Sequence, residues 1–173
     1  MELWDILNQN GKRTGRVVAR GNVQLKAGEY HLVVHIWPVN DYGSLLIQKR
    51  TKTKRMMPGV WAATGGAAIV GESSYEAAAR ELYEELGIKA TRESLKFVRR
   101  MRKRNSFVDI WAIHVNVRVP ELKLQKSEVA EARWVNTTTL MSMVRDGKYH
   151  DYGHDYFENV LKCSARFKRE DLK

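Results

Sequence analysis

Apolar and polar positions alternate in short runs along most of the chain and change to helical spacing in three places. Residues 2–7 and 13–20 are strand-like runs on either side of Asn10-Gly11, a dipeptide suited to a tight turn, and together they predict a β-hairpin. Residues 30–39 (YHLVVHIWPV) and 44–49 (SLLIQK) are apolar strands separated by Asp41-Tyr42-Gly43. From Ser73 the period lengthens: Ser73-x-x-Glu76 is a capping box and Gly87 a stop, so a helix is predicted over Ser74–Leu86. At roughly 100° per residue, Tyr75, Ala78, Ala79, Leu82 and Leu86 share a packing flank, while Glu81, Glu84 and Glu85 crowd the neighbouring one beside Ala77. Further on, residues 94–119 read as two strands around Asn105-Ser106, 132–135 as a short strand and 138–145 as a helix. The stretch 155–168 has helical spacing in Tyr156, Val160 and Leu161. Strands and helices interleave without the alternation of a doubly wound sheet, which predicts an α/β sandwich.

Composition narrows this to one compact unit. A chain of 173 residues with 43% hydrophobic residues buries one sizeable core, and with 3 prolines, no repeat and no low-complexity segment it is expected to form a single domain over 1–173. The first residues lack an apolar signal core, and no run approaches the 18 or so apolar residues of a membrane helix. The expectation is a cytoplasmic protein with no membrane partner. Cys163 is the lone cysteine, so an internal disulfide is excluded.

The chemistry is concentrated in GAAIVGESSYEAAARELYEELGI, which matches G-x5-E-x7-R-E-U-x-E-E-x-G-U (U aliphatic) from Gly66 to Ile88. Chance agreement in one register is on the order of 10⁻⁹. On its own, E-x-x-E-E is also what a solvated acidic helix face looks like. If that face lines a cleft, however, two carboxylates about 5 Å apart repel by roughly 3 kcal/mol at an effective dielectric of 20, and a compensating charge is required. Hard oxygen donors without a zinc-type His/Cys set point to Mg²⁺ or Mn²⁺. Arg80 stands one turn before Glu84, where an ion pair would fix a carboxylate. Gly65 and Gly66 allow close backbone approach, or make a plain tight turn.

With this box complete, the chain resembles the Nudix hydrolases. The resemblance implies a Nudix-type α/β/α sandwich with a mixed β-sheet, and metal-assisted cleavage of a diphosphate bond. It implies Glu81 and Glu85 as main metal ligands, Glu84 as a further ligand or the group that orients water, Glu72 as a ligand from the loop before the helix, and the carbonyl of Gly65 as a main-chain ligand. Arg80, Glu81 and Glu84 are the catalytic candidates.

Charge extends the reading to the substrate. Lys+Arg number 30 against Asp+Glu 20, a formal charge of +10 around an acidic helix, which suits an anionic small-molecule diphosphate of the nucleotide type. Lys52, Lys54 and Arg55, just before Pro58-Gly59, lead into the glycine segment and are expected to bind substrate phosphate. Arg99, Arg100, Arg102, Lys103 and Arg104 lie in the second strand pair, where a solvated sheet face needs no ligand. Nucleic acid also binds basic surfaces, but no recognition motif or aromatic stacking signature accompanies this one in the sequence. Glu128 and Glu131 lie where many Nudix enzymes add a ligand or base, and are equally readable as loop carboxylates. His31, His35 and His114 read as core histidines, Trp37, Trp61, Trp111 and Trp134 as core aromatics. His150 and His154 belong to KYHDYGHDYF, a segment that covers a substrate base or docks the tail.

From about residue 3 to 88 the chain is also similar to isopentenyl diphosphate isomerases, in LWDILNQNGKRTGR, HLVVHIW and LLIQKRTKTKRMMPGVW. That branch places a catalytic cysteine and a metal-binding histidine after Gly-Val-Trp, whereas here Ala62, Ala63, Thr64, Gly65 and Gly66 follow Trp61. The cysteine and histidine are both missing, and glycine or alanine supplies no proton for alkene isomerisation. Hydrolysis of a nucleoside diphosphate, free or linked to another moiety, is the expected activity. An isomerase-like enzyme and a non-catalytic nucleotide-sensing or RNA-binding module are the alternatives.

Overall fold

A computed structural model describes residues 2–21 and 24–167. The end of the predicted terminal helix, at residue 168, lies outside them. The hairpin forms as predicted from β1 (Leu3–Leu7) and β2 (Arg13–Ala19), antiparallel and separate from the main sheet. Its turn is fastened by the Asn8 side chain, whose oxygen accepts the N–H groups of Asn10 and Lys12, and by Gly11 at φ 72°.

The main sheet is built from β3 (His31–Val39), β4 (Leu45–Arg50), β5 (Trp61–Ala62), β6 (Thr64–Ala67), β7 (Leu95–Arg102), β8 (Ser106–His114) and β9 (Val129–Val135). It is mixed, because β3 and β8 run parallel while the other neighbours are antiparallel. β3 and β4 meet only at Val39 and Leu45. Beyond that point β3 pairs with β6, from Ile36 opposite Thr64 to Val33 opposite Ala67, and β4 pairs with β5 and β9. The short run from Trp61 to Ala67 thus crosses from β4 to β3 and carries the two glycines across the gap.

Side-chain alternation on β3 explains the layers. Val34 and Ile36 face α1 (Ser74–Leu86) in one core with Leu46, Leu82 and Ile113; Trp37 and Val39 face the other, with Ile47 and Ile110. That second core is closed by Leu140 and Met143 of α2 (Thr137–Arg145) and by Tyr156 and Phe157 of α3 (His154–Arg166). The result is an α/β/α sandwich.

α1 has the predicted bounds and both predicted caps. Ser73 and Glu76 satisfy each other's backbone N–H groups, and Gly87 closes the helix in the left-handed conformation at φ 72°. Its packing flank differs from the expected one: Ala77 and Glu85 are buried together with Ala78, Leu82 and Leu86, and Glu84 faces solvent. β9 begins three residues earlier than the apolar pattern suggests, because Glu131 pairs opposite Lys49 and Val129 joins through a bulge at Arg50. β8 ends at His114 rather than continuing towards residue 119, since its partner β3 ends at Val39 and only Val115 N–H remains to bond there. A 3₁₀ turn at Val119–Glu121 follows.

Leu82 has no exposed surface, whereas half of neighbouring Tyr83 is in solvent. Leu82→Ala should therefore lower the unfolding free energy by about 3 kcal/mol, within the range of roughly 2–5 kcal/mol for buried truncations, and Tyr83→Ala by about 0.5 kcal/mol or less. Urea unfolding of the two variants checks this.

Candidate active site

The carboxylates on α1 are organised by one guanidinium. Arg80 donates from Nε and Nη2 to both oxygens of Glu72 (2.7 and 3.0 Å), and from Nη1 to Glu81 (2.8 Å) and Glu84 (3.1 Å). Nη2 also reaches the carbonyl of Ala67 at 3.1 Å, which fastens the helix to β6. The spacing suggested one carboxylate partner; the fold supplies three, because Glu72 is turned back from its loop. Glu72 is itself held there by the N–H of Ile69, and its carbonyl accepts from Arg13 Nη2 at 2.7 Å. Asp5 completes this brace, pairing with Arg13 and accepting the N–H of Gly71. The hairpin thereby supports the loop that carries Glu72.

Glu81 and Glu85 point inward, towards the glycines of β6. Gly65 and Gly66 are strand residues, not a turn. A Cβ at Gly66 would lie 2.4 Å from Glu81 Oε1, so its absence makes room for that carboxylate. At Gly65, φ is 149° and a Cβ would lie 2.0 Å from the carbonyl oxygen of Val34, so glycine is what lets β6 approach β3. The Gly65 N–H donates to Glu85 Oε2 at 3.0 Å, and Gln48 Nε2 donates to the same oxygen at 2.8 Å. Burial and the neighbouring Glu81 charge push the Glu85 carboxyl up to about 8, against the pull of these two donors. Burial also raises Glu81, with Arg80 opposing it. Glu84 is more exposed and, among the described residues, is held by the Arg80 contact alone.

The remaining candidates are distributed around this pair. Lys54 is in ion-pair contact with Glu128, and the Thr51 N–H donates to the Glu128 carbonyl, so the basic loop is tied to the segment before β9. Lys52 and Arg55 are exposed on that loop. Glu128 lies near enough to Glu85 for its charge to raise Glu85 further. Glu131 pairs opposite Lys49 on β9. The Tyr152 hydroxyl accepts the N–H of Ala63 and is pushed up to about 12 by burial. His35 sits behind it, bonded to the Tyr156 hydroxyl at 2.9 Å and driven down to about 3 by burial. His31 stacks on Trp4 and is likewise lowered, to about 4. His114 instead reaches out to Asp41 at 2.7 Å. Trp37 and Trp61 are core residues; Trp111 and Trp134 are partly buried, their indole N–H groups bonded to Ser74 Oγ and the Val117 carbonyl. His154 lies away from this group, exposed beside Asp155 and Glu158, and Glu158 already pairs with Lys162.

Three members of the site were not singled out in the sequence: Arg13, Asp5 and Gln48. Arg13 and Asp5 gave no signal, since a charged pair on a hairpin is ordinary. Gln48 did give one: a lone amide in the apolar run LLIQ must be satisfied when buried, and here it serves Glu85.

The donor set fits a divalent cation. Glu85 is buried, its hydrogen-bond donors are neutral, and the nearest charges are other carboxylates. Among the described residues, Gln48 Oε1, on the amide that holds Glu85, and Thr64 Oγ1, on the residue before Gly65, are buried without a hydrogen-bond partner. Only oxygen ligands are on offer, as a hard cation prefers.

The NUDIX domain family model matches residues 29–153 of this chain. The chain belongs to the Nudix hydrolase family. As a Nudix hydrolase it is an enzyme acting on diphosphate bonds, in a family that generally uses divalent metal ions. It is 40% identical over 162 residues to an uncharacterized Nudix hydrolase of Listeria monocytogenes, covering 93% of this chain and 94% of that one. Over 87 residues it is 33% identical to the isopentenyl-diphosphate Delta-isomerase of Streptomyces coelicolor, covering 50% of this chain and 44% of the isomerase. Among solved structures, DR0079 from Deinococcus radiodurans superposes with a TM-score of 0.76 at 21% identity, over 94% of this chain and 99% of that one. The NUDIX domain of Shewanella oneidensis NrtR, complexed with ADP ribose, gives 0.60 at 14%, over 85% and 95%. These two likenesses show the fold. Among the described residues, no helix is long and apolar enough to cross a membrane.

With the Glu85 carboxyl pushed up to about 8, a cation bound there would have to displace a proton at neutral pH. Apparent Mg²⁺ affinity should rise about tenfold per pH unit up to about pH 8 and then level off. Calorimetric titration between pH 6 and 9 measures this; an affinity flat across that range would mean that Glu85 is already ionised.

Proposed function

We propose that this Nudix hydrolase cleaves the diphosphate linkage of a nucleoside diphosphate, free or joined to another moiety, with Mg²⁺ or Mn²⁺, and that residues 1–173 act as one catalytic unit in the cytoplasm. The observation that carries the proposal is the inward-facing pair Glu81 and Glu85 against Gly65 and Gly66, a part-buried and a buried carboxylate with a single guanidinium between them and the loop. The ADP ribose complex of the Shewanella NrtR domain supports the nucleotide part, as a ligand that this fold accommodates elsewhere.

The residues divide the work. Glu81 and Glu85, with Glu72, Glu84 and the Gly65 carbonyl, hold the cation. When bound, it neutralises charge on the diphosphate oxygens and acidifies bound water. Arg80 positions three carboxylates at once, so that their repulsion is balanced before substrate arrives. Glu84, solvent-facing and engaged through one oxygen, orients the attacking water and accepts its proton as the new P–O bond forms and the bridging oxygen leaves with the other phosphate. Lys52, Lys54 and Arg55 bind substrate phosphate, with Lys54 exchanging Glu128 for the substrate.

Glu81→Gln or Glu85→Gln should lower turnover by about 10²-fold or more with the fold retained by circular dichroism. Full activity in either variant, or with excess chelator, would remove the metal-assisted mechanism. Neutralising Lys54 and Arg55 together should raise KM for a nucleoside diphosphate and flatten its salt dependence; unchanged values would return both to ordinary surface residues.

Hydrolysis and isomerisation differ in where solvent atoms end up. In H₂¹⁸O the enzyme should place ¹⁸O in a phosphate-containing product, and with isopentenyl diphosphate in D₂O it should incorporate no deuterium. Deuterium in dimethylallyl diphosphate would overturn the hydrolytic reading.

A further inference from the structure

The edge strand β7 has two unlike faces. Its register sets Phe97 opposite Trp111, Arg100 opposite Asp109 and Arg102 opposite Phe107, with a bulge between Phe97 and Arg99. Leu95 and Trp111 belong to the core beneath α1, so Phe97, Arg100 and Arg102 share the α1 side; Val98 and Met101 lean on the other core, which places Lys96 and Arg99 opposite. Arg100, which the sequence placed on a freely solvated face, instead clamps the buried Asp109 through Nε and Nη2, at 2.6 and 2.7 Å.

On the α1 side three aromatic residues from distant parts of the chain form a shelf. Phe97 is 52% exposed and meets the Trp111 ring edge-on at 5.4 Å, and Tyr75 meets the same ring at 6.1 Å. The Arg92 guanidinium lies 5.3 Å from the Tyr75 ring centre. The Trp111 indole donates to Ser74, which fixes the shelf to the first turn of α1. Ser74 also lines a cavity of about 150 Å³ together with Arg13, Arg100 and Glu72. Both arginines spend Nε and Nη2 on protein partners and, among the described residues, leave Nη1 without one.

Protection of a sheet edge explains cations on β7 but not a half-exposed phenylalanine beside them. We infer that this face is a binding surface for single-stranded nucleic acid, with bases stacking on Phe97 and the open edge of the shelf, and backbone phosphate held by Arg92, Arg102 and the two Nη1 groups of the cavity. Stacking on aromatic rings with flanking cations is the chemistry by which unpaired strands are held without a sequence motif, and the formal charge of +10 complements it. The inference goes beyond hydrolysis of a small nucleotide and needs no metal; the stacking shelf and Arg92, Arg100 and Arg102 have no assigned part in catalysis, and the two surfaces meet only at the cavity, through Arg13 and Glu72.

The test is fluorescence anisotropy with short fluorescein-labelled oligouridylate and oligothymidylate, in chelator and at several salt concentrations. Phe97→Ala should weaken binding by about fivefold or more with an unchanged salt slope. Phe97→Leu, which keeps the apolar bulk but not the ring, should do the same. Arg92→Gln with Arg102→Gln should weaken binding and reduce the salt slope by roughly 0.7 for each phosphate that is no longer neutralised. Lys96→Gln with Arg99→Gln removes equal charge from the other face and should cost less than twofold. Hydrolysis of a small nucleotide by Phe97→Ala should stay within twofold of the parent enzyme. Absent binding, equal losses from the two double variants, or full binding by Phe97→Leu would overturn the inference. So would a change of sedimentation mass in Phe97→Ala in place of a change in oligonucleotide affinity.

Discussion

Glu81 and Glu85 are carboxylates turned into the protein, and the architecture around them follows from the cost of keeping like charges there. A buried carboxylate needs donors or a counter-charge, and the chain supplies both unequally. Glu81 receives Arg80, while Glu85 receives only the neutral donors of Gln48 and Gly65. The imbalance is one that the proposed cation would resolve. Arg80 could not reach Glu72 without the loop being folded back, and that loop is braced in turn by Arg13 and Asp5 on a hairpin outside the main sheet. The small hairpin is therefore part of the active-site support.

The sheet contributes by failing to pair. β3 and β4 separate after one residue pair, and the segment from Trp61 to Ala67 crosses between them. A continuous hairpin would have left no place for Gly65 to turn its N–H to Glu85 rather than to a strand neighbour. In the isomerase resemblance this same segment would carry a cysteine and a histidine; here it carries Ala62, Ala63 and Thr64, and the polar work passes to α1.

Much of this was legible because local rules and tertiary structure agree. The capping box and Gly87 set α1 to the residue, and Asn10-Gly11 set the first hairpin. What was hidden depended on side chains from distant segments. Helical spacing grouped Glu84 with Glu85, but only packing against β6 distinguishes the buried one from the exposed one. Nothing local announces that Arg100 will find Asp109, that Lys54 will find Glu128, or that Tyr75, Phe97 and Trp111 will meet. The early start of β9 was masked by Glu131, a charge inside the strand that pairs across the sheet opposite Lys49, while Val129 pairs opposite Arg50.

The two adjacent glycines of β6 carry different burdens, and this separates two kinds of genetic lesion. A side chain at Gly65 collides with the backbone of β3, which cannot yield without moving the sheet, whereas one at Gly66 meets the end of the Glu81 side chain, which can swing aside. In a population of variants, changes at the first position would be lost as protein that never accumulates. Changes at the second would persist at normal abundance as soluble, inactive molecules able to compete for the same ligands. One codon thus guards the quantity of the enzyme and its neighbour the quality.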